Sequence, residues 1–255
     1  MENTAQTENA LVRQEQAAVA ATKAAEPPAP IYDADARNRF PFEVREGVNL
    51  YDTAHIFEPL SDERYMQWLR EFKMRGNEDM LDEESREATC RLWDDLIFEV
   101  EKVTVPDGKD IRDVIPPAEK IEAISALMAV AIGADIRKAD GSRSFDENAT
   151  QTVATEAYFN GEIAVQTHVL KQAGLEWQKK YARINARRFK QEKVGGLRRQ
   201  PKLEYVPQDH RFGELYDEMI VSTEGFAGGK IPLRFKVVVI EHLFGERLSQ
   251  KKSQS

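Results

Sequence analysis

Ser61-Asp62-Glu63-Arg64-Tyr65-Met66-Gln67-Trp68-Leu69-Arg70-Glu71-Phe72 carries the clearest local signal in the chain. A serine followed by two acids is the chemistry of a helix start. The hydroxyl can accept from a free backbone N–H of the first turn, and the carboxylates meet the positive end of the helix dipole. Tyr65, Trp68, Leu69 and Phe72 then recur at i, i+3, i+4 and i+7 on one helical face, and Gly76-Asn77 ends the run. Two later segments repeat the pattern. Residues 83–103 place Leu92, Trp93, Leu96, Ile97 and Val100 on one stripe, with acids crowding the N-terminal half. After the turn-forming Pro106-Asp107-Gly108, Pro116-Pro117 opens a third helix with Ile121, Ile124, Leu127, Met128 and Ile132 facing inward and Gly133 near its end. Together they predict an antiparallel packed layer of helices.

Outward from that layer, residues 1–39 are rich in Ala, Gln, Glu and Thr and break at Pro27-Pro28-Ala29-Pro30, so they bury too little surface to offset their ordering entropy. Phe40, Phe42 and Val44 alternate like a short strand, and residues 47–59 read as an irregular segment laid over a core. Residues 139–148 form a polar connection. Beyond it, 153–173 and 176–193 read as helices, with Tyr158, Ile163, Val169, Leu170, Trp177, Tyr181 and Ile184 as their apolar positions, before Gly195-Gly196 and Pro201 break the pattern. A short helix covers 212–221, and Gly225, Gly228 and Gly229 make a flexible turn. Residues 231–248 suit a helix by length and by Pro232, although Val237-Val238-Val239-Ile240 is strand-like; helix is favoured. The predicted fold is therefore mainly α, a helical bundle-like core with a disordered N-terminal arm and room for a few short strands. Its divisions are a 1–39 arm, a 40–138 helical domain, a 139–148 linker, a 149–248 second helical subdomain and a disordered 249–255 tail. No repeat occurs at the periods that mark solenoids.

Composition limits the function classes. A hydrophobic fraction of 41% with 31% charged residues favours amphipathic elements, and a net charge of −8 argues against a surface built wholly for nucleic acid or an anionic membrane. The single cysteine, Cys90, cannot form an intrachain disulfide, which fits a reducing compartment. No apolar run reaches membrane-spanning length, and the start of the chain lacks a signal-peptide pattern. Cytoplasm is the expected location.

Candidate chemistry is sparse. His55, His168, His210 and His242 are dispersed, and none has a second ligand at helical spacing, so no metal or cofactor is expected. Asp140-Gly141 with Asp146-Glu147 lacks the ligand spacing of a calcium loop. The glycines at 225, 228 and 229 match neither phosphate-binding signature. Cys90 sits among acids that would raise a thiol pKa, and Glu83-Glu84 and Asp94-Asp95 are adjacent pairs that project apart on a helix. These observations predict a non-enzymatic protein.

Two candidate surfaces remain. The face formed by Tyr65, Trp68, Leu69 and Phe72 is the candidate partner-binding stripe. Residues 179–202 contain ten Lys/Arg against the single acid Glu192, whereas 58–101 contain fourteen acids against six basic residues. The basic patch of Lys179, Lys180, Arg183, Arg187, Arg188, Lys190, Arg198 and Arg199 could hold nucleic acid as a regulator would. It could equally dock on an acidic surface, including this chain's own helices or a second copy, which the acidic remainder of the surface favours.

His55-Ile56-Phe57-Glu58-Pro59-Leu60-Ser61-Asp62-Glu63-Arg64-Tyr65, Leu92-Trp93-Asp94-Asp95-Leu96 and Ile115-Pro116-Pro117-Ala118-Glu119-Lys120-Ile121 resemble small tail-assembly proteins of tailed bacteriophages. The resemblance spans about residues 40–132. It implies a chaperone that binds the long helical tape-measure protein and recruits tail-tube subunits, or a virion component, acting in the host cytoplasm. Amphipathic helices and opposite charge blocks suit such reversible binding of helical partners.

Overall fold

A computed structural model describes residues 30–46, 48–72, 83–133, 149–192 and 202–249. The fold is a mixed α/β arrangement of antiparallel sheets with packed helices, which corrects the mainly α bundle expected from the sequence. Strands β1 (Asn38–Glu46) and β2 (Asn49–Phe57) form a hairpin. Helix α1 (Asp62–Glu71) and helix α2 (Glu83–Leu96) follow, and α2 runs directly into β3 (Ile97–Glu101), which pairs with β2. A one-turn helix α3 (Ile111–Val114) and α4 (Pro117–Met128) lead to β4 (Val130–Ile132). The second half begins with the hairpin β5 (Thr150–Phe159) and β6 (Glu162–Lys171), followed by α5 (Leu175–Asn185). A small hairpin of β7 (Phe189–Glu192) and β8 (Lys202–Tyr205) precedes α6 (Asp209–Met219), which runs directly into β9 (Ile220–Glu224). Helix α7 (Leu233–Ser249) closes the chain's described part. The sheets have the orders β1-β2-β3, β4-β5-β6-β9 and β7-β8.

The largest departure from the sequence reading lies at 153–173, expected as a helix and found as the β5–β6 hairpin. Its apolar residues have period two: Val153, Ala157 and Phe159 on β5 and Ala164 and Leu170 on β6 are buried, with their alternate neighbours less so. Asn160-Gly161, both at positive φ, supply the hairpin turn that this dipeptide favours. Similarly, α2 stops at Leu96, and Ile97–Glu101, expected within the 83–103 helix, is strand β3, decided by its pairing with β2. Residues 47–59 hold β2 rather than an irregular cover, and 30–39, expected within the arm, hold the buried Tyr32 and the start of β1. Helix α1 matches its predicted start, with Ser61 Oγ accepting from Arg64 N at 3.2 Å. Gly76-Asn77, the 139–148 connection, Gly195-Gly196, Pro201 and the tail from 250 fall outside the described residues.

The two halves are copies of one unit: hairpin, helix, helix, strand, helix. The equivalence is residue by residue. Phe40 pairs His55 as Val153 pairs His168, and Phe57 pairs Ile97 as Leu170 pairs Ile220. A bulge follows each of the latter pairs, leaving Phe98 and Val221 exposed at matching positions. In sequence, Leu92-Trp93-Asp94-Asp95-Leu96-Ile97 corresponds to Leu215-Tyr216-Asp217-Glu218-Met219-Ile220, and Pro116, Lys120, Ile124 and Leu127 correspond to Pro232, Lys236, Ile240 and Leu243. Even an ion pair is repeated: Lys120 Nζ lies 2.6 Å from Asp94 Oδ1, and Lys236 Nζ 2.7 Å from Asp217 Oδ1.

Each unit has its own core. In the first, Phe40, Phe57, Trp93, Leu96, Ile124 and Leu127 pack between sheet and helices; in the second, Leu170, Phe212, Tyr216, Met219, Val239 and Ile240 do so. The units meet where Asn38 Nδ2 donates to Tyr158 O at 3.1 Å, where Asn160 N donates to Asn38 Oδ1 at 2.8 Å, and where β4 pairs with β5. Leu233 N also donates to Asp62 Oδ1 at 2.8 Å, tying α7 to the start of α1.

Candidate functional site

The duplication shows one place in two states. In the second unit, the segment before β1 crosses the end of β9 as a one-residue parallel bridge: Tyr32 N donates to Gly225 O and Ala227 N donates to Tyr32 O, both at 2.9 Å. The Tyr32 ring enters an apolar recess, with centroids 4.9 Å from Phe235, 5.1 Å from Phe159 and 6.2 Å from Phe226. Ala157 and Ala164 leave room for it on the sheet, and its hydroxyl accepts from the buried Arg234 guanidinium. Gly225 is required at this crossing. It has φ +85°, and a Cβ there would lie 2.5 Å from Val165 O.

In the first unit the corresponding place is an open groove of about 710 Å³. Five wall residues have counterparts in the filled recess: Val44 stands for Ala157, Tyr51 for Ala164, Val103 for Phe226, Ile115 for Ile231 and Glu119 for Phe235. Lys102, at φ 59°, stands for Gly225. Leu50 and Tyr51 are 61% and 49% exposed at the rim. Asp52, Glu119 and Lys102 give the lining a net acidic character, whereas the second recess is lined by aromatic and alanine side chains.

The paired histidines lie beneath these sites and are fully buried. Trp93 Nε1 can only donate, so its 3.1 Å contact makes His55 Nδ1 an acceptor, and His55 Nε2–H then donates to Glu119 Oε1 at 2.8 Å. In the second unit Thr155 Oγ1 donates to Gln166 Oε1 at 3.1 Å, so its 2.9 Å contact with His168 Nε2 is an accepted bond, and His168 Nδ1 accepts from Tyr216 O–H at 2.6 Å. Burial pushes the His168 pKa down to about 4 and raises that of Tyr216. Both imidazoles thus have both nitrogens engaged, His55 tying β2 to α2 and α4 and His168 tying β6 to β5 and α6; neither presents a free lone pair to a metal or a substrate.

The predicted partner-binding stripe packs inward. Tyr65 and Met66 lie against the second core and Trp68 against the first, with Trp68 Nε1 donating to Thr89 Oγ1 at 3.3 Å. Phe72 meets Trp68 at 4.6 Å between centroids, and Tyr65, Trp68, Leu69 and Phe72 are all half-buried. Tyr65 and Trp68 thus connect the two cores through α1.

Within the basic patch, Lys179 pairs with Glu176, Lys180 with Glu218 and Arg188 with Glu241, so acids of α5, α6 and α7 neutralise these cations. Arg183 and Arg187 line a shallow depression shared with Glu214 and Glu218. Lys190 lies on β7, and Arg198 and Arg199 fall outside the described residues. Cys90 is half-buried and burial raises its thiol pKa. Among the described residues no cluster of three His, Cys, Asp or Glu side chains could hold a metal ion, and no helix is long and apolar enough to cross a membrane.

The groove escaped the sequence reading because Val44, Tyr51, Val103 and Glu119 come from separate elements. One signal was present: the correspondence of residues 92–97 with 215–220 would have exposed the duplication, and with it the unequal partners at Glu119 and Phe235. No protein-family profile, curated protein or solved structure matches the chain.

Proposed function

We propose that this protein acts by binding other proteins rather than by catalysis, and that the open groove of the first unit is where it binds them. One observation carries the reading. The equivalent place in the second unit is occupied by the chain's own residues around Tyr32, held through a one-residue bridge, so this unit is built to hold a peptide there. Among the described residues, the histidines are engaged and Lys179, Lys180 and Arg188 are ion-paired, so catalysis and nucleic-acid binding have less support than the groove. The resemblance of residues 55–65, 92–96 and 115–121 makes tail assembly the setting for this role, in a reducing cytoplasm or within a virion, with a tape-measure or tail-tube protein as partner. The groove is a better docking place than the face of α1, whose Tyr65 and Trp68 pack against the two cores.

The test uses a photo-crosslinking amino acid placed in the full chain at Leu50 on the groove rim, or at Ile163, its exposed counterpart on the filled unit. In cells that produce the protein's natural partners, the expected result is a discrete covalent adduct from position 50 and none from position 163. Identical adducts from both positions, or none from either, would overturn the proposal.

A further inference from the structure

Granting that the first groove binds proteins, the bound chemistry can be read from its filled twin. We infer that its occupant is an extended segment of a partner protein that carries a tyrosine, crosses residues 102–104 as a one-residue parallel bridge, and donates its hydroxyl to Glu119.

Tyr32 is held by Gly225 O and Ala227 N. Their counterparts are Lys102 O and Thr104 N, and among the described residues neither takes a backbone partner. A guest strand laid there gains the same two bonds. Val44, Tyr51, Val103 and Ile115 form an apolar part of the groove wall, at the positions that Ala157, Ala164, Phe226 and Ile231 take in the recess of Tyr32. The polar partner changes in sign and in place. In the second unit Arg234 donates to the Tyr32 hydroxyl, whereas the first unit has Ala118 at that place and a carboxylate, Glu119, where Phe235 stands. Glu119 Oε1 is already engaged by His55, which fixes the carboxylate in orientation and leaves its other oxygen to accept. A ring with a donating tip satisfies both the apolar wall and the acid. A phenylalanine would desolvate the carboxylate without replacing its bond to water.

The same comparison argues against a second copy's own strap as the guest. Tyr32 is followed by Asp33 and Asp35, and Asp35 pairs with Lys230 in the second unit. The counterpart of Lys230 is Val114, and Asp52 adds a negative charge beside it. The favoured segment therefore has neutral or basic residues after its tyrosine.

The probe is the fluorescein-labelled peptide Ala-Pro-Ile-Tyr-Lys-Ala-Lys-Ala, which copies residues 29–36 with both aspartates changed to lysine, titrated against the full chain by fluorescence anisotropy. Binding should be saturable, about tenfold weaker with Phe for Tyr, and lost with Ala for Tyr; the unaltered sequence should bind at least about tenfold more weakly. Val103→Trp, which fills the groove, should abolish binding. Asp52→Asn, which removes the negative charge beside the Val114 position, should erase most of the preference for lysine-bearing over aspartate-bearing peptide. Equal binding of the Tyr, Phe and Ala peptides, tighter binding of an Arg-for-Tyr peptide, or indifference to both variants would overturn the inference. Tighter binding of the unaltered sequence would replace the partner by a second copy. If no peptide binds but Leu50 still captures one protein, this inference fails and the proposed function stands; if neither occurs, both fail.

Discussion

Tyr32→Ala tests whether the strap is a built part of the second unit. Tyr32 is 5% exposed, so the substitution empties a recess walled by Phe159, Phe226 and Phe235. Truncating a buried aromatic to alanine costs about 3–5 kcal/mol through lost burial and the cavity left behind. Removing the hydroxyl also deprives the buried Arg234 of an acceptor, adding about 1–3 kcal/mol. Against this, a strap that lets go recovers about 1–2 kcal/mol of backbone entropy for each of the few residues it frees. The net loss should be about 3 kcal/mol. Tyr32→Phe, which keeps the ring, should lose about 1–2 kcal/mol. Urea unfolding followed by tryptophan fluorescence would measure both, since Trp93 reports on the first core and Trp177 on the second. Adding a peptide of residues 28–36 should restore part of the stability of the alanine variant in a concentration-dependent way. A loss below about 1 kcal/mol with no response to peptide would refute the view that the recess depends on this ring.

Three further outcomes follow from the paired units. Gly225→Ala should destabilise by at least about 2 kcal/mol, because the residue has φ +85° and its Cβ would meet a backbone carbonyl at 2.5 Å; Lys102→Gly at the matching position should change stability by less than about 1 kcal/mol, as relief of the left-handed strain is offset by added chain entropy. Urea unfolding of the two variants distinguishes these values, and equal effects would contradict the asymmetry. His168 is neutral in the folded protein down to about pH 4 and titrates near 6.5 when unfolded, so its contribution is complete above pH 6.5 and is lost as pH falls towards 4, about 3 kcal/mol in all. Stability measured from pH 7 to 4 should fall more steeply for the natural chain than for His168→Asn, and parallel profiles would refute this. Lys120→Met should cost about 1–2 kcal/mol and Lys236→Met less, because the Lys120–Asp94 pair has side-chain exposures of 8% and 35% against 19% and 57% for Lys236–Asp217. Equal thermal shifts would show that burial does not set the difference.

Much of the local structure was legible and the architecture was not. Ser61, Pro117 and Pro232 mark helix starts through capping and proline geometry, which act within one turn of the chain. The hairpins required attention to Asn160-Gly161 and to alternation at period two, which the apolar positions 158, 163, 169 and 170 obscure when tested against a helical template. The helix-to-strand junctions at Leu96–Ile97 and Met219–Ile220 lack Gly or Pro, so nothing in residue type announces them; tertiary pairing to β2 and β6 decides them. The partner stripe on α1 was read correctly as one apolar face, but its destination between two cores depends on a second unit that the sequence reading treated as unrelated.

The most direct test of the account is amide and methyl NMR of the full chain during titration with the lysine-bearing tyrosine peptide. Shifts should concentrate at Val44, Tyr51, Val103, Thr104 and Glu119, with Gly225, Phe226 and Ala227 unmoved because Tyr32 keeps its place. Shifts centred on Gly225 to Ala227, or on the half-buried face of α1, would contradict it.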